Sequence, residues 1–151
     1  MTDFEVHLDL HGQTRPIGLA RSNRVRGAET ILFQYEQAWL QEPDRFSLEP
    51  ALPLTRGAFA PPGGLAIFGS IGDSAPDTWG RRLMQRAARR AAEREGRAVR
   101  TLTESDYLLG VVDETRLGAL RFRWAGDDQF QAPIGVGVPA LIELGRLLQI
   151  T

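Results

Sequence analysis

Eight arginines, Arg81, Arg82, Arg86, Arg89, Arg90, Arg94, Arg97 and Arg100, crowd into one stretch that holds only Glu93 and Glu95 as acids. At about +6 the stretch has the chemistry of an anion site, because a guanidinium grips phosphate with two parallel bonds and a row of them displaces counterions. Arg82, Arg86, Arg90 and Arg94 recur every four residues, so a helix would place them on one face as a candidate nucleic-acid contact. The plainer reading is a solvated face, or one paired with the remaining chain. That remainder carries about −7, since the formal net charge is −1. No helix-turn-helix or aromatic-interleaved pattern accompanies the charge, so contact with DNA is expected only indirectly, through a partner. All 18 basic residues are arginine.

Enzymatic chemistry is tested by subtraction. The only histidines are His7 and His11, in or beside the first apolar run, so a Ser-His-Asp triad would have to be assembled around one of them. His7 has the parity opposite to Phe4, Val6 and Leu8, which predicts a solvent-facing ring. Asp113 and Glu114, and Asp127 and Asp128, are adjacent acids without any spacing that suits calcium or zinc. The run from Ala60 to Gly64 is rich in Pro and Gly but lacks the pattern of a phosphate loop, and no lysine is present to reach a phosphate. With no cysteine, thiol nucleophiles and thiolate metal sites are excluded, and a reducing, cytoplasmic setting is expected. By these residues the chain has no catalytic, cofactor-binding or metal-binding site of its own.

The elements that would position such residues follow from periodicity. Phe4, Val6, Leu8 and Leu10 alternate as a strand with one buried face, His11-Gly12-Gln13 offers a turn, and Ile17 and Leu19 mark a return strand. A polar loop from Ser22 to Gly27 leads to a third strand over Thr30–Tyr35, and Gly118–Trp124 alternates again. Glu36 to Leu40 suits one helical turn with Trp39 and Leu40 turned inward. From Glu42 to Gly72 five prolines preclude long elements, yet Leu48, Leu52, Leu54, Phe59, Leu65, Ile67 and Phe68 all seek burial, which predicts an ordered loop. Ser74 and Asp77 form an S-x-x-D box that predicts a helix from about Ala75 to Glu95, ended by Gly96. Its apolar stripe would be Trp79, Leu83, Ala87 and Ala91, with Trp79 as a core anchor. Thr103 and Asp106 box a second, short helix that stops near Gly110. From Pro139 a last helix, apolar at Leu141, Ile142, Leu144, Leu147, Leu148 and Ile150, runs to the final residue without a cap, as if a longer pattern were interrupted.

The 151 residues are 42% hydrophobic and 25% charged, the composition of one folded domain able to build a core without disulfides. No apolar run approaches the ~20 residues of a membrane span, and the acidic first residues are unlike a signal peptide. A domain over residues 1–124 followed by a connector over 125–151 is expected.

Several short pieces occur in an order that resembles the N-terminal region of the HipA family, the kinase toxins of bacterial toxin–antitoxin modules. They are Phe33-Gln34-Tyr35 with Trp39-Leu40, Ser47-Leu48 leading to Leu52-Pro53-Leu54, and Pro76-Asp77-Thr78-Trp79-Gly80-Arg81. Tyr107-Leu108-Leu109-Gly110-Val111 and Arg116-Leu117-Gly118-Ala119-Leu120-Arg121-Phe122 complete the set, which spans roughly Phe4 to Phe122. The resemblance implies an α+β fold with a small antiparallel, barrel-like sheet and accessory helices. It also implies a region that packs on a kinase core, in cis or in trans, and contributes to contacts with a helix-turn-helix antitoxin of HipB type. Full-length members phosphorylate serine or threonine in proteins, including aminoacyl-tRNA synthetases, using ATP and magnesium. Those catalytic parts have no counterpart here, and the helix from Pro139 resembles the family's connector towards them. Two roles follow from the resemblance: the non-catalytic N-terminal subdomain of such a kinase, or a stand-alone regulatory subunit that binds and inhibits a separate one. Asp77, Trp79 and Arg81 are the expected partner contact.

Overall fold

In the computed structural model, which describes residues 2–10, 12–111, 119–127 and 130, four antiparallel strands form one sheet in the order β3-β2-β1-β4. Strand β1 (Thr2–Leu10) turns back into β2 (Gln13–Val25), β2 into β3 (Ala28–Tyr35), and β4 (Leu120–Trp124) returns late in the chain to pair with β1. The sheet is open rather than barrel-like: β3 and β4 are its two edges and do not meet. The expected loop from Ser22 is strand as far as Val25. The reversal is a two-residue turn at Arg26 and Gly27, both at positive φ, whose hand matches the strand twist.

The core is a single cluster on one face of the sheet. Phe4, Val6 and Leu8 of β1, Ile31, Phe33 and Tyr35 of β3, and Leu120 and Phe122 of β4 meet Trp39, Leu52, Phe68, Ile71, Leu108 and Leu109. The β1–β2 register shifts between Val6 and His7, a bulge that brings Ile17 onto the core side. The one-turn helix α1 (Gln37–Leu40) buries Trp39 as expected.

The proline-rich stretch is ordered and covers the β3 edge. Phe33 and Phe59 exchange backbone hydrogen bonds of 3.0 and 2.8 Å, and the Ile31 amide donates to the Ala66 carbonyl at 2.7 Å. The Tyr35 hydroxyl donates to the Leu52 carbonyl at 2.6 Å and accepts from the Leu48 amide at 3.1 Å. Further along, the Glu49 carboxylate accepts from both the amide and the hydroxyl of Ser70, on the short helix α2 (Gly69–Gly72). Leu65 does not find the burial expected of it and stays exposed.

His7 corrects the sequence expectation. It does point away from the core, but it is only 6% exposed, because that face of the sheet is also covered at this point. Its ring lies edge-on to Phe130 at 4.8 Å, and Phe130 in turn is covered by the Arg121 guanidinium at 4.0 Å. His7 shares a 3.0 Å hydrogen bond with Glu5, which also accepts from Arg123 at 2.7 Å. Burial pushes the Glu5 carboxyl up, but these two donors outweigh it and hold it below its ordinary value. His11, Asp113, Glu114, Asp128 and the helix expected from Pro139 lie outside the described residues.

Candidate functional site

The long helix α3 spans Thr78–Glu95 and begins three residues later than the sequence predicts. Asp77, not Ser74, is its N-cap: the Asp77 carboxylate accepts from the Gly80 amide at 2.8 Å. Ser74 is buried in the preceding turn, where its amide bonds the Ile71 carbonyl. At the other end Gly96 is left-handed, and the Gly96 and Arg97 amides return to the Glu93 and Ala92 carbonyls, a closure the sequence made legible.

Arg81 fixes how α3 is rotated. Its guanidinium forms a two-pronged pair with Glu104, at 3.1 and 3.0 Å, lies 4.5 Å above the Tyr107 ring, and donates through Nε to the Pro76 carbonyl. Gln85, one turn on, donates to the Tyr107 hydroxyl at 2.8 Å. Residues two apart on a helix point about 200° apart, so turning Arg81 towards α4 (Glu104–Leu109) turns Trp79 outward. Trp79 is accordingly 54% exposed and is not the core anchor its place in the pattern suggested. The packed face of α3 runs instead through Gly80, Met84, Ala88 and Ala92, small residues for the most part, with Met84 lying over the Gly110 backbone. Ala87, expected in the stripe, is exposed; Leu83 and Ala91 are half-buried at its margin.

Of the three expected partner-contact residues, two are engaged within the chain. Asp77 caps the helix and Arg81 clasps α4; Trp79 alone presents a large apolar surface outward. The four candidate phosphate contacts, Arg82, Arg86, Arg90 and Arg94, are all exposed on the outer side of α3. Arg82 approaches the Trp79 ring at 5.9 Å.

Helix α4 is held from both ends of the sequence. Thr103 and Asp106 form the expected reciprocal capping box, with bonds of 3.1 and 2.8 Å. Arg100 adds a two-pronged pair to Asp106 at 2.8 and 3.0 Å. Glu29 of β3, which no local pattern singles out, accepts from the Glu104 amide at 2.7 Å and from the Ser105 and Ser22 hydroxyls. Negative charge at this helix start is favourable to its dipole. Burial pushes the Asp106 carboxyl up, but its bonds from Arg100 and Thr103 prevail and hold it below its ordinary value.

That shift sets an acid dependence. A carboxylate with a lowered folded pKa contributes stability above its unfolded pKa and loses the contribution as pH falls through the folded one. Urea midpoints should therefore decline below about pH 4 for Asp106 and Glu5 together. The Arg100→Gln variant should start lower at neutral pH and show a shallower decline. Parallel curves for the two proteins would remove Asp106 as a source of the acid sensitivity.

Between Ser22 and Arg24 of β2, Thr103 at the N-cap of α4, Asp106, and Trp124 lies a polar cleft of about 750 Å³. Within it the Thr103 hydroxyl donates to the Asp106 carboxylate at 2.9 Å as part of the helix cap, and among the described residues no cluster of His, Asp and Glu is placed to hold a metal ion. The outer side of α3 presents one exposed indole beside a row of guanidinium groups. Among the described residues no helix is long and apolar enough to cross a membrane.

Residues 8–123 match the sequence pattern of the HipA N-terminal domain, from within β1 to the end of β4. No curated protein and no solved structure shows significant similarity to the chain.

Proposed function

Because the chain belongs to the HipA N-terminal domain family, we propose that it serves as the non-catalytic N-terminal subdomain of a HipA-like serine/threonine-protein kinase toxin of a type II toxin–antitoxin system. In this role it packs on the kinase core, supplied in cis or in trans, and contributes to contacts with a helix-turn-helix antitoxin in the cytoplasm. The observation that carries the reading is the extent of the match, which takes in almost the whole sheet and both α3 and α4.

ATP and magnesium belong to the kinase core on this reading. The chain has no lysine to reach a phosphate, and among the described residues no group of three or more His, Asp and Glu is placed to hold a metal ion. What the chain contributes is a preorganised contact. Asp77 and Arg81 hold the start of α3 in place, so Trp79 is presented on a rigid element and loses little freedom when covered, the usual property of an interface anchor.

Titrating the full chain against a HipA-like kinase core, followed by calorimetry, tests this. A complex is expected, and Trp79→Ala should weaken it roughly tenfold, about 1.4 kcal/mol, without altering the circular dichroism of the free chain. Absence of a complex overturns the reading. A complex that abolishes autophosphorylation replaces it with the stand-alone inhibitory subunit.

A further inference from the structure

The outer face of α3 is the least explained surface of the molecule. With about 100° per residue, Trp79, Arg82, Arg86 and Arg90 fall within one narrow sector, opposite the packed line of Gly80, Met84, Ala88 and Ala92. Here Arg82, Arg86 and Arg90 form no ion pair with the described residues, whereas Arg81, Arg97 and Arg100 are paired with Glu104, Glu95 and Asp106. The described acids therefore leave this row unpaired.

We propose that this face binds single-stranded nucleic acid, with phosphates on Arg82, Arg86 and Arg90 and a base stacked on Trp79. The three guanidinium groups step along the helix by about 6 Å each, an interval their long side chains can match to successive phosphates of an extended strand. An exposed aromatic ring beside a cationic track is the arrangement that captures unpaired bases without regard to sequence. Trp79 has the exposure this requires, and Arg82 already stands 5.9 Å from its ring. An acidic peptide would answer the cations but leave the indole in water, and a duplex would offer it no free base face. Glu93 lies at the far end of the row and confines the site to the first three turns. The inference goes beyond the protein-partner reading, and it makes nucleic acid and kinase core competitors for Trp79.

The test uses the free 151-residue chain and a fluorescent oligothymidylate, read by anisotropy. Three phosphate contacts predict a salt slope near −2, so affinity should fall roughly 15-fold between about 50 and 200 mM salt. The Arg86→Gln, Arg90→Gln double variant should flatten that slope to about −0.7. Trp79→Ala should weaken binding roughly tenfold while leaving the slope unchanged. All three side chains are exposed, so the variants keep the fold, checked by circular dichroism. No binding at low salt overturns the proposal, as does a slope unaltered in the double variant. Duplex bound more tightly than single strand, or polyglutamate competing as well as the oligonucleotide, replaces it with a general anion surface.

Discussion

Replacing Gly18 with alanine should lower stability by about 3 kcal/mol, read as a fall in the urea midpoint at unchanged m-value. Gly18 lies on β2 between Val6 of β1 and Tyr35 of β3, in the middle of the sheet. A Cβ there would stand 2.3 Å from Phe33 Cζ, 2.5 Å from Phe33 Cε2 and 2.7 Å from the Gln34 carbonyl oxygen. Neither neighbour can yield cheaply. The Phe33 ring is fully buried and packs edge-on to Tyr35 at 4.9 Å, and Gln34 lies in the β2–β3 ladder opposite Leu19. Trimming the ring with Phe33→Leu should recover part of the loss in the double variant, a coupling that two independent substitutions would not show. A loss below about 1 kcal/mol would mean that the β2–β3 contact is looser than described.

Glu29→Ala is expected to have the next largest effect, about 2 kcal/mol. The carboxylate is the shared acceptor for the Glu104 amide, the Ser105 hydroxyl and the Ser22 hydroxyl, joining positions 75 and 76 residues apart. Removing it leaves the α4 amide and the Ser105 hydroxyl, on a residue only 2% exposed, without that acceptor. A bond to a charged group contributes about 1.5–3 kcal/mol when dry, and partial water access here brings three of them to the lower end. Glu29→Gln keeps one carbonyl acceptor and should fall between. Faster hydrogen exchange at the α4 amides, with the β1–β2 amides unchanged, locates the loss; uniform acceleration would mean the whole domain had been weakened instead.

Much of this architecture was legible because its causes are local. The alternation of Phe4, Val6 and Leu8, the Thr103–Asp106 box and the Gly96 stop each act over a few residues, and all three formed. The failures have distant causes. Parity put His7 on the correct side of β1, but the residues that cover it, Arg121, Arg123 and Phe130, return from the far end of the chain. Trp79 fitted an apolar stripe, and only the Arg81–Glu104 pair, 23 residues apart, shows which way the helix turns. Ser74 and Asp77 both suit a cap, and burial of Ser74 decided between them. Whether the sheet closes depends on whether its edge strands meet, which composition does not encode. The regular arginine spacing is legible in the sequence; that Arg82, Arg86 and Arg90 form no ion pair with the described residues is not.

The late return of β4 also dictates an order of events at the ribosome. The three N-terminal strands are joined by tight turns and can form a meander soon after Tyr35 emerges, but β1 gains its second neighbour only when Phe122 does, as the Glu5–Arg123 pair spans 118 residues. At ordinary translation rates that gap lasts roughly 5 to 20 s. Throughout it the outer edge of β1 presents open backbone groups to neighbouring nascent chains. Biogenesis of this domain is therefore most exposed to strand-edge pairing with other chains before β4 arrives.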